Sequence, residues 1–318
     1  MTRAALVALQ LEIDAEVLAS PDAYRAHLEA ECERALESAE HHSGLDEDDW
    51  DDDVTRLVVF PEVCGHLALY ALAPPAARRA KTLAGALAAS AVRRPLDVLR
   101  GVATTRLLDA RHAVIAAVAP DAERWWKSVF GPLAKQHAAY IVAGSHLRLH
   151  PDGALTNSSM MFGPDGRLLA TTDKVNLVTG FEDGSPGALA LARGTPEVPI
   201  VETKLGKLVT LIGYDACRAP ATKTERFVSL GARLVERGGV SIVANPSARR
   251  ETADPLREAL ADTPYARFGV VAHLTGSVLD LSYAGRSEIV ERQGSTVKVL
   301  GCAERPDRGC HVTALVTC

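Results

Sequence analysis

The segment SSMMFGPDGRLLATTDK, residues 158–174, contains two short apolar runs separated by the turn residues Pro-Asp-Gly at 164–166. Proline presets the backbone of a turn and glycine adopts positive φ, so this tripeptide predicts a tight reversal between two strands. Similar turn residues occur before the segment at 151–153 and after it at 184–187. The middle of the chain therefore predicts short strands joined by turns, with a β-hairpin at 158–174.

Strands and helices alternate on both sides of this hairpin. Before it we predict strands at 4–11, 57–60 and 139–145, a helix that begins at Ser20-Pro21-Asp22, and an Ala- and Arg-rich helical excursion at 76–136. After it we predict strands at 207–212, 240–245, 268–274, 285–291, 295–300 and 311–316, with helices at 223–237 and 254–266. This order predicts a layered α/β fold with buried sheets and helices outside, formed by one domain over residues 1–318.

The composition excludes several classes of protein. The 318 residues contain 35 Lys and Arg against 40 Asp and Glu, a net charge of −5, and a nucleic-acid-binding surface is usually basic. Apolar residues make up 47% and charged residues 24%, which is typical of a globular chain with a large core. No apolar run approaches the ~18 residues of a membrane span. The acidic run at 46–53 predicts a solvated loop over 44–54.

The cysteines do not predict a metal site or a disulfide framework. They are Cys32, Cys64, Cys217, Cys302, Cys310 and Cys318. None forms the C-x-x-C pair or the Cys-His spacing of a zinc site, and they are too few for a disulfide scaffold. The apolar start of the chain predicts a first strand rather than a signal peptide. We therefore expect reduced thiols, a cytoplasmic protein, and neither metal nor cofactor.

Three ionisable residues lie at predicted strand ends or in adjoining loops: Glu62 in FPE, Lys174 in TTDKVNL, and Glu182 in GFEDG. Each of them taken alone is typical of a solvated loop charge. Their surroundings change that interpretation, because each belongs to a longer ordered pattern that extends over nearly the whole chain.

That pattern resembles the nitrilase, or carbon-nitrogen hydrolase, superfamily. The segments that carry the resemblance are ALVALQL (5–11), VVFPE (58–62), AYIVAGS (139–145), NSSMMFGPDGRLLATTDKVNL (157–177), GKLVTLIGYD (206–215) and IVANPSA (242–248). The resemblance implies a four-layer α-β-β-α sandwich, commonly a homodimer or a higher homo-oligomer. It also implies a site with a glutamate base, a lysine, a nucleophilic cysteine and a second glutamate, acting on a small amide, carbamoyl compound or nitrile.

The chemistry of such a site can be assigned to residues of this chain. An amide carbon is a poor electrophile, so a thiol must be deprotonated by a nearby base, for which Glu62 is the candidate. Lys174 would face the developing oxyanion, and Glu182 would hold that lysine in place.

The sequence departs from the family at the nucleophile. The family's cysteine directly precedes a Tyr-Asp or Trp-Asp pair, and here that position is Gly213, in LIGYD. Cys217 follows four residues later, about one turn away or near 6 Å if the segment is helical. It is either a displaced nucleophile or a small buried residue in the turn. Gly213 is either an ordinary turn glycine or the site of a lost thiol, where a water activated by Glu62 would be a slow substitute.

Four further residues complete the candidate site. Tyr214 and Asp215 are expected to fix the turn, and Asn245 and Ser247 could contact a ligand. Two functions remain open. The first is a carbon-nitrogen hydrolase; the second is a catalytically silent binding or scaffolding member that keeps the pocket without its thiol. Gly213 favours the second, whereas Glu62, Lys174 and Glu182 favour a pocket that still binds a polar small molecule.

Overall fold

A computed structural model describes residues 2–45, 50, 53–185, 188–222, 226–248 and 255–318. Most of the acidic run at 46–53 lies outside the described residues. So do parts of the turn at 184–187 and the first positions of the helices predicted from 223 and 254.

The elements follow the predicted alternation. The strands are β1 (Arg3–Ile13), β2 (Val54–Val59), β3 (Ala139–Val142), β4 (His146–Leu149), β5 (Leu155–Phe162), β6 (Leu168–Asp173), β7 (Ile200–Thr203), β8 (Gly206–Thr210), β9 (Val240–Ser247), β10 (Ala266–Val278), β11 (Leu281–Tyr283), β12 (Glu288–Gln293), β13 (Thr296–Cys302) and β14 (Cys310–Thr317). The helices are α1 (Pro21–Ser43), α2 (Cys64–Ala71), α3 (Pro75–Arg78), α4 (Leu83–Arg93), α5 (Pro95–Thr105), α6 (Ala110–Gln136), α7 (Leu230–Glu236) and α8 (Pro255–Asp262).

The strands form two sheets that join at one point. In the first sheet, β1 lies between β2, which is parallel to it, and β14, which is antiparallel, and the sheet continues through β3 and β5 to β4 and β6. The second sheet has the order β7-β8-β9-β10-β12-β13. The end of β1, Leu11 to Ile13, pairs with Leu274 to Gly276 of β10 and so links the two sheets.

Alternating side chains of the central strands contribute to three of the buried clusters. Leu6 of β1 and Val270 of β10 belong to the core between the two sheets. Val7, on the opposite face of β1, packs with the helix residue Trp126 in an outer core. A third core joins the second sheet to α7 and α8, for example through Leu256. Since the central strands of each sheet are buried on both faces, the layers are helix, sheet, sheet, helix, which confirms the predicted α-β-β-α sandwich.

Local signals account for several element boundaries. The Ser20 hydroxyl caps α1 by accepting a hydrogen bond from the amide of Ala23 at 3.0 Å. The hairpin predicted at 158–174 forms as β5 and β6, in the register that pairs Met160 with Thr171.

Two helix predictions were too long. The helix expected over 223–237 begins at Leu230, because Val228 exchanges two backbone hydrogen bonds with the side chain of Asn176 instead of continuing a helix. The helix expected over 254–266 ends at Asp262, two residues before Pro264, which lacks an N–H to donate within a helix.

The helical excursion at 76–136 contains α4, α5, α6 and the end of α3. Its longest member, α6, has 27 residues and packs against α5, α4, α2 and β4. Within the described residues, every helix is too short or too polar to cross a lipid bilayer.

Candidate active site

Glu62 is placed by a strained turn at the end of β2. The next residue, Val63, has φ +70°, a left-handed backbone that is unfavourable for a β-branched side chain. Its amide donates a hydrogen bond of 2.9 Å to the Ser145 hydroxyl of the neighbouring loop. Strain of this kind, about 1–3 kcal/mol, persists only where the surroundings hold it, and it is common at functional sites.

Lys174 follows β6, and its side chain meets both predicted carboxylates. Its Nζ lies 2.6 Å from Glu62 Oε1 and 2.7 Å from Glu182 Oε2. Lys174 is 1% exposed, Glu62 is 5% exposed and Glu182 is 2% exposed. We call Glu62, Lys174 and Glu182 the ionic triad. The sequence predicts that they converge on one buried site, and the structure brings them together.

The charges of the ionic triad stabilise one another. Burial disfavours the Lys174 ammonium, but Glu182 and Glu62 outweigh this effect and raise the pKa of Lys174. Burial also disfavours a charged Glu182, yet the Lys174 ammonium holds the pKa of that carboxyl below its usual range. The amide of Val178 donates a further hydrogen bond of 2.8 Å to Glu182 Oε2. Lys174 and Glu182 therefore form a charged pair in the interior.

Asn157 also bridges the two carboxylates and is a residue that the sequence analysis missed. Its Nδ2 donates to Glu62 Oε1 at 3.0 Å and to Glu182 Oε1 at 2.8 Å. Its own carbonyl Oδ1 lies 3.1 Å from Nε2 of His66. An amide in the middle of a strand buried along its whole length was the signal that could have found it, because buried polar groups need partners.

The imidazoles of His66 and His146 stay neutral because they are buried. Burial lowers the pKa of His66 to about 4 and that of His146 to about 3, and for His146 the nearby His66 adds to the effect. In the described part of the chain, neither ring nitrogen of His146 has a hydrogen-bond partner. These two groups couple the stability of the site region to pH.

We expect His146→Leu to remove part of the acid sensitivity of the fold. Both histidine pKa values are lower in the folded chain than the ordinary 6.5, so the unfolded chain binds protons first. The stability that they contribute is complete above pH 6.5 and is lost progressively as the pH falls from 6.5 toward the folded pKa values of about 4 and 3. Urea denaturation measures the free energy of unfolding at pH 7 and at pH 4. Its decrease between these two pH values should be smaller in His146→Leu than in the native protein by roughly 3 kcal/mol.

The control for this prediction is His41→Gln, at an exposed histidine of α1, which should leave the acid loss unchanged. If the free energy of unfolding decreases equally between pH 7 and pH 4 in the native protein and in His146→Leu, His146 does not carry this effect.

Gly213 begins a 3₁₀ turn, Gly213–Ala216, that other site residues hold in place. Both carboxylate oxygens of Asp215 accept hydrogen bonds from the amide of Val175, and one accepts from the amide of Asn176 at 2.7 Å. Asn245 of β9 donates from Nδ2 to the carbonyls of Leu211 at 2.6 Å and of Gly213 at 3.4 Å. These contacts join the turn to the chain beside Lys174 and to the second sheet.

The space next to Gly213 is occupied by Glu62. Gly213 has φ +48°, and a Cβ built on it would lie 2.3 Å from Glu62 Oε2 and 2.9 Å from Glu62 Cδ. Carbon and oxygen atoms do not approach so closely without displacement. The carboxylate therefore lies where a side chain at position 213 would begin.

The remaining predicted residues take different positions. The Tyr214 hydroxyl accepts a hydrogen bond from the amide of Ala221, and its ring packs edge-on against Phe227. Ser247 is buried at the end of β9, opposite His273 of β10.

Cys217 is buried and directly follows the turn in an extended conformation, with φ −72° and ψ 150°. The chain between 213 and 217 is thus not α-helical, and a 3₁₀ turn of this length advances the backbone by ~8 Å rather than 6 Å.

Among the described residues, His, Cys, Asp and Glu do not form any group of three that could hold a metal ion.

No protein-family model matches this chain. Among curated proteins, a hydrolase of Schizosaccharomyces pombe is 30% identical over 129 residues, which cover 39% of this chain and 36% of that protein. The match thus spans little more than a third of the relative's length.

Solved structures match the chain over almost its whole length. A carbon-nitrogen hydrolase from Helicobacter pylori G27 has a TM-score of 0.62 at 15% identity, over 99% of this chain and 88% of that chain. A Saccharomyces cerevisiae member of branch 10 of the nitrilase superfamily has a TM-score of 0.58 at 18% identity, over 99% and 90%. An amidase from Nesterenkonia sp. has a TM-score of 0.58 at 15% identity, with the same coverage. At these identities the likeness shows the fold, and it confirms the resemblance seen in the sequence: this chain has the fold of the nitrilase, or carbon-nitrogen hydrolase, superfamily.

Proposed function

We propose that this chain binds a small, neutral, amide-like compound at the ionic triad and does not hydrolyse it by thiol catalysis. The observation that carries the proposal is the space beside Gly213. This space holds the Glu62 carboxylate and no nucleophile. The ionic triad itself is intact, since Lys174 contacts both carboxylates. On this view Gly213 stands where the family has its cysteine, and the chain is a catalytically silent member.

The chemistry of the ionic triad favours an amide over an acid. The Lys174 ammonium has three donors, of which two point to the carboxylates, so one is left for a carbonyl oxygen. The carboxylates can accept hydrogen bonds from an amide NH₂. A carboxylate ligand would place a further negative charge beside Glu62 and Glu182, which is unfavourable in a buried site.

One structural neighbour supports an amide ligand without a thiol. A double mutant of the Nesterenkonia amidase, with a glutamate replaced by glutamine and a cysteine replaced by alanine, was solved in complex with acrylamide. A site of this fold from which a cysteine has been removed thus still accommodates an amide. The homodimer and the cytoplasmic location that the sequence suggests stay predictions.

We expect propionamide to raise the melting temperature of the native protein, and propionate, its anionic analogue of the same shape, to leave it unchanged. Ammonia release from propionamide should stay far below the ~10 s⁻¹ that is typical of enzymes. Because no thiol takes part, Cys217→Ser should alter neither result. Calorimetric scanning and an ammonia assay on the same samples measure both.

Two results would contradict the proposal. If propionate stabilises the protein as well as propionamide does, the ionic triad does not select a neutral amide. If the native protein releases ammonia at an ordinary enzyme rate and Cys217→Ser abolishes it, Cys217 is a displaced nucleophile and the chain is a hydrolase.

A further inference from the structure

The helical excursion differs in charge from the rest of the chain. Residues 78–111 contain eight arginines and lysines but only two aspartates and no glutamate, a net charge of +6 in a chain whose net charge is −5. One of these aspartates, Asp97, already lies between Arg94 at 3.8 Å and Arg100 at 3.6 Å. The excursion is therefore a basic region of a protein that is acidic as a whole.

The same segment carries the most exposed large apolar side chains in the described part of the chain. They are Val92, Leu96, Leu99 and Leu108, which are 78%, 67%, 66% and 95% exposed. Single exposed leucines are common in soluble proteins, but a concentration of four within 17 residues is typical of an interaction surface. We call these four side chains the exposed patch.

Close packing on one side of α5 leaves its apolar side outside. Gly101 lies against α6, where a Cβ built on it would be 2.0 Å from the carbonyl oxygen of Ala113. Leu96, Leu99 and Ala103, all exposed, follow the i, i+3, i+7 spacing of one helix face. At 3.6 residues per turn, that face points roughly 150° away from Gly101. The protein thus holds α5 by its glycine side and presents its leucines outward.

We propose that the excursion docks on the surface of an anionic lipid membrane. The exposed patch enters the boundary between headgroups and acyl chains, and the surrounding arginines contact the negatively charged headgroups. Leucines on one face of a helix, flanked by basic residues, are typical of a segment that lies in the membrane surface without crossing the bilayer. Arg93 precedes α5 and Arg106 follows it, and both are exposed. This inference does not depend on the proposed function.

Charge favours a lipid surface over other occupants. In a symmetric dimer through this face, the excursion would meet a second copy of itself, and two surfaces of the same charge repel each other. A nucleic acid would attract the arginines but offers no hydrocarbon to four exposed aliphatic side chains. An anionic membrane offers both a negative surface and hydrocarbon, so it uses both features of the excursion.

Cosedimentation of the full chain with lipid vesicles tests this proposal. Vesicles of phosphatidylcholine with roughly 30% phosphatidylserine should bind the native protein, and vesicles of phosphatidylcholine alone should bind it at least about tenfold more weakly. Raising the salt from about 0.1 M to about 1 M should weaken the binding, because it shortens the Debye length from ~10 Å to ~3 Å.

Two double variants separate the apolar and the charged contributions. Leu96→Ser with Leu99→Ser removes the apolar contacts and should weaken binding to the phosphatidylserine vesicles by about 100-fold. Arg93→Gln with Arg106→Gln removes two charges and should weaken it by roughly 30-fold. All four positions are exposed, so both variants should melt close to the native protein.

Matched controls make the same changes at exposed positions outside the excursion. They are Leu168→Ser with Leu169→Ser, and Arg34→Gln with Arg167→Gln. Both controls should bind the vesicles as the native protein does. A loss of binding that is equal in the controls and in the excursion variants would show that the excursion is not the docking surface.

Three further results would overturn the proposal. The first is a native protein that binds neither kind of vesicle. The second is binding that Leu96→Ser with Leu99→Ser leaves unchanged, because the protein then adsorbs through charge alone. The third is a native dimer that does not bind vesicles and that the same double variant converts into monomers, because the exposed patch is then an interface between two copies of the chain.

Discussion

Replacing Lys174 by methionine should lower the free energy of unfolding by about 3 to 5 kcal/mol. Methionine keeps the length and most of the volume of the side chain, so the loss comes mainly from charge. The change leaves Glu62 and Glu182, both buried, without the ammonium that lies 2.6 and 2.7 Å from them. Urea denaturation at pH 7 measures the effect.

The matched control is Lys127→Met, at a half-exposed lysine of α6 that pairs with Glu123 one turn away. Exposed pairs of this kind contribute about 0.3–0.5 kcal/mol, so this variant should remain close to native. A triple variant with Lys174→Met, Glu62→Gln and Glu182→Gln should recover much of the lost stability, because no buried charge is then left unpaired. If Lys174→Met unfolds no more easily than Lys127→Met, the ionic triad is not an interdependent unit.

Gly213→Ala should lower the free energy of unfolding by roughly 3 kcal/mol from two separate effects. At φ +48° a side chain adds backbone strain of ~1 kcal/mol. The new methyl group would also lie 2.3 Å from Glu62 Oε2, so this carboxylate must shift from its present position, which disturbs its contact with Lys174. Differential scanning calorimetry of the two proteins measures the loss.

Gly294→Ala provides the control, because Gly294 has φ +63° in the turn between β12 and β13 and open space around its Cβ position. It should lose only the strain contribution, ~1 kcal/mol. Equal losses in the two variants would mean that Glu62 moves aside freely. The same contact applies to Gly213→Cys, in which the new side chain also requires the Glu62 carboxylate to shift.

Much of the fold could be predicted from the sequence because its signals are local. The Pro-Asp-Gly turn at 164–166 lies between two apolar runs, and these pair as β5 and β6. Ser20 precedes Pro21 at the start of α1 and caps that helix. Helix ends that depend on distant partners could not be predicted: Val228 bonds to the side chain of Asn176, far away in the sequence, and so stays outside α7.

The site residues also fall into those that the sequence could predict and those that it could not. Glu62, Lys174 and Glu182 were found because each lies in a distinctive segment, and a lysine between two carboxylates can be buried only as a group. Asn157 and His66 were missed, since their importance lies in contacts across the sheet to Glu62, Glu182 and each other. Glu62 occupies the space beside Gly213, and this could not be predicted because it depends on distances in the folded chain alone.

The pairing of β1 with β14 has a consequence for how the chain folds during translation. β1 is made long before its antiparallel partner: Gln10 lies opposite Cys310 and Arg3 opposite Thr317. Closing a loop of about 300 residues carries an entropy penalty that local hairpins avoid, and such non-local pairing slows folding. Until β14 is synthesised, the nascent chain exposes one edge of β1, and exposed edges are templates for aggregation. The first sheet can therefore be completed only after β14 has been made, and until then this edge of β1 needs shielding.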